Sequence, residues 1–347
     1  MTMRSSRPDF FWFAALCDDD TTNLGNTDAS ILSSYDHCAA IVAEAASQGF
    51  DGVLLPSGYA LGIDAVAFAA AVARDVEGID LLVAIRVGEM WNPQLVRQLA
   101  TLDQLSNSRL RINIISSDLP GKTESGAIRY GRTAETMEQL RRGFGGETLS
   151  VDGVPLSPPR IVTATKRTPP LYFGGLSPEA RSVAAGGADV YLMWPDTEEE
   201  VTSIISDLTA RAAAVDRELS FGYRVHVIVR ESEEEAVAAA GALIAGLDDE
   251  TGSAIRSKSL DATSVGVARQ QSLRSDADET GFVEPNLWTG IGRARSGCGA
   301  AIVGNPDQVE AKLRRYLDLG ISSFILSGYP HREEARRFGE LVLPRFA

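Results

Sequence analysis

The stretch Ser323-Phe324-Ile325-Leu326-Ser327-Gly328-Tyr329-Pro330-His331 decides the fold. An apolar run ended by Gly and Pro reads as a buried strand leaving its sheet. The charged segment behind it, Arg332-Glu333-Glu334-Ala335-Arg336-Arg337, reads as a helix. Tyr329 and His331 therefore stand where a strand of an α/β protein hands over to its helix, the edge at which such folds bind ligands. Alone, the pair is equally well explained by a local hydrogen bond of Tyr329 and a helix cap by His331.

A second strand pattern, Gly222-Tyr223-Arg224-Val225-His226-Val227-Ile228-Val229-Arg230, tips the balance. Its period of two places Arg224 and His226 on one face, with Tyr223, Val225 and Val227 on the other. An Arg and a His turned together into a protein interior are costly unless paired or facing an anion. The chain has three His, and two of them stand in or just after these strands. A site that holds an anion is the economical reading.

The same alternation runs outward from these strands. Strand patterns fall at Phe10–Leu16, Gly52–Leu55, Leu81–Ile85, Arg111–Ile115, Pro170–Phe173 and Val190–Met193. Helical patterns fall between them at Tyr35–Ser47, Asp64–Arg74, a segment marked by Leu95, Leu99, Leu102 and Leu105, Ala134–Phe144, Ser177–Ala185, Glu198–Val215 and Ser232–Leu247. A short excursion at Thr148–Pro159 carries Asp152-Gly153 as a hairpin turn. From Asp248 to Gly299 the alternation lapses, with weak helical pattern at Val265–Leu273, and a stretch that long reads as a functional, mobile lid. Pattern resumes with Ala301–Gly304 and a helix carrying Val309, Leu313 and Leu317, before the final strand.

Eight strands separated by helices make an α/β (β/α)8 TIM barrel, one domain over residues 1–347 with an insertion at 248–299 before the last strand. A doubly wound sheet would place a Gly-rich phosphate loop after the first strand. Here that position holds Leu16-Cys17-Asp18-Asp19-Asp20, three carboxylates where a pyrophosphate would sit.

Composition narrows the function. With 44% apolar and 23% charged residues the 347-residue chain is ordinary for a globular protein, and a formal charge of −14 speaks against nucleic acid and anionic membranes. An anionic substrate then needs a local basic pocket. Three scattered Cys suit neither a disulfide frame nor a metal site and fit a reducing cytosol. No run approaches the ~20 apolar residues of a membrane span, and the N-terminus has no signal-peptide arrangement, so a cytoplasmic location is expected.

Six pieces, in order and spread over nearly the whole chain, carry a resemblance. They are Phe11-Trp12-Phe13, Tyr172-Phe173-Gly174-Gly175, Arg224 to Glu231, Leu247-Asp248-Asp249-Glu250, Pro285-Asn286-Leu287-Trp288 and Leu326 to His331. In these the chain resembles the bacterial-luciferase-like flavin monooxygenases, and within them the two-component alkanesulfonate monooxygenases. Cys17-Asp18-Asp19-Asp20 with Tyr191-Leu192-Met193-Trp194-Pro195 is most similar to the sulfoquinovose monooxygenase branch.

The resemblance implies an enzyme that receives FMNH2 from a separate NAD(P)H-dependent flavin reductase, uses O2, and cleaves the C–S bond of an organosulfonate to an aldehyde and sulfite. It implies a dimer or tetramer. Arg224, His226, Arg295, Tyr329 and His331 match the family's active-site positions. The chemistry agrees: a sulfonate offers three acceptor oxygens to the planar fork of Arg, and an imidazole can shuttle the proton removed beside sulfur. The FMN phosphate is expected where Gly174-Gly175-Leu176-Ser177 opens a helix, with Tyr130 reaching it. The plain alternative is a tight turn with a capping Ser177.

Arg295, flanked by Gly292, Gly297 and Gly299, is expected on a segment that brings it over the reactants, or else as a solvated charge. Trp194 is expected as an apolar wall against the substrate or flavin. Two positions depart from the alkanesulfonate enzymes: Cys17 replaces a His, and Ala60-Leu61-Gly62 replaces a Cys-bearing loop. Substrate contacts near both should differ, with Cys17 a small buried filler rather than a nucleophile. Two other readings stand beside this one. One is a luciferase-like monooxygenase acting on a sulfone or non-sulfur substrate, which would not need both Arg224 and Arg295. The other is a non-catalytic flavin-binding relative.

Overall fold

Strands and helices alternate from end to end in the computed structural model, which describes residues 7–17, 20–26, 28–58, 62–119, 121–122, 124–151, 154–156, 168–257 and 264–347. The strands are β1 (Asp9–Phe13), β2 (Gly52–Leu55), β3 (Asp80–Arg86), β4 (Leu110–Ile115), β5 (Leu171–Phe173), β6 (Val190–Met193), β7 (Ser220–Val229), β8 (Ala301–Gly304) and β9 (Ile321–Ser327). The main helices are α1 (Tyr35–Gln48), α2 (Ala65–Asp75), α3 (Asn92–Leu105), α4 (Gly126–Phe144), α5 (Pro178–Gly187), α6 (Glu198–Ala213), α7 (Glu233–Ile244), α8 (Asp249–Ser257), α9 (Val265–Ser275), α10 (Pro306–Leu319) and α11 (His331–Leu341).

Parallel pairing runs β9-β1-β2-β3-β4-β5-β6-β7, and β7 pairs with β9 in turn, so the sheet closes into an eight-stranded barrel. The period of two sorts the side chains. Phe11, Leu54, Leu82, Tyr172, Val190 and Ile325 fill the interior. Phe10, Trp12, Val53, Tyr223, Val225 and Phe324 pack outward against the helices. Because both faces are buried, strands of this kind read as nearly continuous apolar runs.

At the N-terminal end of the barrel Arg111 pairs with Asp80 at 2.7 Å and Asp9 at 3.2 Å and donates to the hydroxyl of Tyr172 at 3.1 Å. This plug closes the bottom and leaves the C-terminal mouth for chemistry.

β7 serves two neighbours on one side. Its first half, Ser220–Tyr223, pairs with β6, and its second half, His226–Val229, pairs with β8. The 248–299 stretch that delivers β8 holds α8, α9, a short antiparallel pair (Phe282–Glu284 with Leu287–Trp288) and a 3-10 turn at Gly290–Arg293, more order than its polar composition suggests. Residues 258–263 within it lie outside the described residues, as do Asp18, Asp19, Ala60, Leu61 and the expected turn at Asp152-Gly153. The strands flanking that turn, Leu149–Val151 and Val154–Leu156, are paired.

Two boundaries differ from expectation. α4 begins at Gly126, eight residues before the expected Ala134, because Ser125 accepts the backbone N–H of Ile128 and caps a helix that carries Gly126 and Gly131 through its first turns. β1 stops at Phe13; the N–H of Ala14 still donates to the carbonyl of Leu54 at 3.0 Å, and Ala15 and Leu16 continue as buried irregular chain. Among the described residues no helix is long and apolar enough to cross a membrane.

Candidate active site

Each side chain at the mouth is placed by the strand or turn that carries it. Alternation along β7 turns Arg224 and His226 into the barrel, where they are 6% and 2% exposed. The guanidinium of Arg224 lies 4.6 Å from the ring centre of Phe13 and donates to the carbonyls of Val225 (3.1 Å) and Ile325 (3.4 Å). Among the described residues no carboxylate lies within ion-pair distance of it. A buried cation held only by neutral dipoles and an aromatic face is an incomplete arrangement. It calls for an anion.

His226 is linked through Nδ1 to the hydroxyl of Ser327 on β9, at 2.6 Å. Burial, together with the charges of Arg224 and Arg295, holds its pKa well below the usual imidazole range, so the ring is neutral. Tyr329, one turn past β9, stacks on His226 with centroids 5.3 Å apart and meets the ring of His331 edge-on at 5.0 Å. The hydroxyl of Tyr329 accepts from Nε of Arg295 at 2.8 Å. Arg295, on the insertion, is thus bonded at the mouth to Tyr329 rather than left as a solvated charge.

His331 is the first residue of α11 and is fully buried. It is not the helix cap: that position is Pro330. The motif Phe11-Trp12-Phe13 explains its placement. Trp12 points outward and its indole N–H donates to the carbonyl of His331 at 2.9 Å, while Phe13 points inward and packs on the His331 ring at 5.5 Å. Nδ1 of His331 lies 2.8 Å from Oδ1 of Asp20, and Nε2 has no hydrogen-bond partner among the described residues. Asp20 went unnoticed in the sequence as a site residue, and so did Phe13 and Trp12.

A cavity of about 410 Å³ lies over the ends of β4, β5 and β6. Tyr130, Gly174, Gly175, Leu176, Ser177 and Trp194 all line it, so these expected cofactor and wall positions come together. Asn113, Ser116, Asp118, Arg129, Glu179 and Gln270 line it too and carried no signal in the sequence.

The turn after β5 is built for close approach. A Cβ at Gly174 would collide with the carbonyl of Leu192. One at Gly175, whose φ is +152°, would stand 2.7 Å from Cβ of Ala180. Ser177 caps α5, accepting from the N–H of Ala180 at 3.2 Å, which leaves its own O–H available to a ligand. Bare backbone N–H groups, a hydroxyl and the start of a helix form an anion cradle. That donor set fits a phosphate, and the cavity above is of the size that holds a drug-sized or cofactor-sized ligand.

Trp194, 37% exposed, joins the two regions. It lines the cavity, and added Cβ atoms at Gly266 and Gly297 would each stand 3.1 Å from its indole. Gly297 is two residues from Arg295. Cys298 donates its thiol to the carbonyl of Arg224 at 3.5 Å, and burial pushes its pKa up, so it is no nucleophile. Cys17, four residues past the end of β1, is partly buried beside Gly58 and Gly62 and packs against the outer core. No described contact joins it to the Arg224 cluster.

Comparison with known proteins gives a consistent picture. The luciferase-like monooxygenase family matches residues 9–323. A sulfoquinovose monooxygenase of Novosphingobium aromaticivorans is 57% identical over 344 residues, covering 96% of this chain and 95% of that protein. A second sulfoquinovose monooxygenase, from Agrobacterium fabrum, is 46% identical over 340 residues, covering 96% and 88%. Among solved structures the EDTA monooxygenase of Chelativorans sp. BNC1 superposes with a TM-score of 0.78 at 15% identity, covering 98% of this chain and 93% of that one, a likeness of fold.

Proposed function

Because this chain belongs to the luciferase-like monooxygenase family, we propose that it is the oxygenase of a two-component system that cleaves the C–S bond of an organosulfonate, sulfoquinovose in the first place, to an aldehyde and sulfite. The observation that carries the reading is Arg224: a buried guanidinium at the barrel mouth with no carboxylate among the described residues, beside a neutral imidazole. The names of the two sequence relatives support the sulfosugar.

The cavity lined by Tyr130 and Gly174 to Ser177 would hold FMN by its phosphate. When bound in reduced form, delivered by an NAD(P)H-dependent reductase, the flavin supplies the electrons with which O2 is activated. The chain's own residues do the rest. Arg224 offers the unused edge of its fork to sulfonate oxygens, and its partners Val225 and Ile325 keep that fork in one plane. Arg295 and Tyr329 close over the same region and exclude water. An imidazole takes up the proton released beside sulfur.

The test is sulfite release from sulfoquinovose and a panel of alkanesulfonates, with the purified protein, FMN, a flavin reductase, NADH and air. Sulfite from sulfoquinovose above the alkanesulfonates is the expected result. Flavin binding without sulfite from any sulfonate would overturn the reading.

A further inference from the structure

Asp20 lies at the barrel mouth after β1 and is almost wholly buried, yet it belongs to no strand or helix. Four donors converge on its carboxylate. Oδ1 accepts the backbone N–H of Thr21 (3.0 Å), the backbone N–H of His331 (3.0 Å) and Nδ1 of His331 (2.8 Å); Oδ2 accepts from Nε2 of His37 (2.8 Å). Two of the three His in the chain thus meet on one carboxylate, from α1 on one side and α11 on the other. Among the described residues no group of His, Cys, Asp and Glu is arranged to hold a metal ion, so the three form a hydrogen-bonded chain.

We infer that Asp20 is the positioning residue that makes His331 the proton acceptor of the site, with His37 bracing the far oxygen of the same carboxylate. The inference rests on the monooxygenase reading above and names the base within it. An ionised carboxylate only accepts hydrogen bonds. Nδ1 of His331 must then carry the proton, and Nε2 of the neutral ring presents its lone pair. That nitrogen is buried and has no hydrogen-bond partner among the described residues, so the ordinary cost of an unmade hydrogen bond is left standing at one atom. A ligand proton removes the cost.

Asp20 stays ionised through the working range. Burial raises its pKa, but the hydrogen bonds it accepts from the ring and backbone N–H of His331, helped by His37, bring it below the usual carboxylate value. When Nε2 takes a proton, the bonding electrons remain with the substrate, and the new imidazolium charge is met across the ring by Asp20. Among the described residues the Phe13 ring and the Tyr329 edge also pack on His331, with His226 stacked on Tyr329, Arg224 over Phe13 and Arg295 bonded to Tyr329 beyond them. Those cations oppose a new positive charge, and Asp20 is the described carboxylate in contact with the ring that offsets them. His37, partly exposed, sits at the solvent end of the chain.

The test combines kinetics with imidazole NMR on the intact protein. With three His, the ring 15N signals are assigned by single substitution. Wild-type His331 is expected as the Nδ1–H tautomer, and Asp20→Ala should abolish that preference. Asp20→Asn should lower kcat for sulfite release roughly 100-fold and move the acid limb of the profile, with FMN affinity within about twofold of wild type. Should Asp20→Asn fail to fold, His37→Leu and His37→Gln decide: Leu should cost about tenfold and Gln, which retains a donor, should restore most of it.

An Nε2–H tautomer in the wild type overturns the inference. So does an Asp20→Asn enzyme within about threefold of wild-type kcat, or one whose loss tracks lost FMN affinity. If the wild type itself releases no sulfite, the functional reading fails, while the tautomer measurement still decides the role of Asp20.

Discussion

The phenol oxygen of Tyr329 receives two N–H groups from the single guanidinium of Arg295, Nε at 2.8 Å and Nη2 at 2.5 Å. An oxygen engaged in this way is fixed in place at the mouth by the fork of Arg295. Lys cannot supply two donors in a fixed fork. Arg295→Lys and Tyr329→Phe should therefore each lower kcat/KM on the order of 10- to 100-fold, with a double-mutant coupling of about 1–2 kcal/mol. Independent, additive losses would show that the pair does not act together.

His226 makes stability depend on pH in a defined direction. Its folded pKa is depressed by burial and by Arg224 and Arg295, whereas the unfolded side chain titrates at the ordinary value. Below about pH 6.5 the unfolded chain therefore binds a proton that the folded chain refuses, and stability falls as pH falls, by up to ~1.4 kcal/mol per pH unit for one group. Urea unfolding between pH 5 and 7 should give a shallower slope for His226→Gln than for wild type. Equal slopes would mean that the ring is protonated in the fold.

Gly175 separates a packing effect from a binding effect. Its φ of +152° and the 2.7 Å approach of an added Cβ to Ala180 leave no room for Ala. Gly175→Ala should destabilise the protein by about 1–3 kcal/mol and weaken FMN binding at least tenfold. Titration of FMN fluorescence against thermal melts reads both. Unchanged FMN affinity in a destabilised variant would place the phosphate elsewhere.

Trp194 is held between Gly266 and Gly297, where an added methyl group would press on the indole from 3.1 Å. Gly297→Ala should tilt the indole and shift Arg295, lowering coupled sulfite formation roughly tenfold while global stability changes by under about 1 kcal/mol. The ratio of sulfite formed to NADH consumed is the measurement. Normal coupling with a perturbed tryptophan emission would mean that the wall position of Trp194 is not used in turnover.

Most of the barrel was legible because the physics that builds it is periodic. Strands buried on both faces announce themselves as apolar runs, and the alternation along β7 alone sends Arg224 and His226 inward. The turn after β5 was legible for a different reason, since Gly174-Gly175 followed by Ser177 marks a close backbone approach and a helix cap. Asp20 was not legible. It sits in irregular chain, and its partner His331 is 311 positions away in sequence, so no local pattern connects them. Phe13 read simply as strand core; that its face carries a guanidinium depends on closure of the barrel. The start of α4 was obscured by Gly126 and Gly131, which count against a helix until the cap at Ser125 is known. Cys17 was expected as a small buried filler near the substrate contacts, and its side chain packs beside Gly58.

The change of neighbour halfway along β7 fixes how the long excursion between residues 230 and 300 is tethered. It departs from the end of that strand and comes home alongside it, where the N–H of His226 meets the carbonyl of Ala300 at 3.1 Å. Both gateposts stand in one wall. Arg295, five residues before Ala300, is thereby tethered to the same strand that bears Arg224.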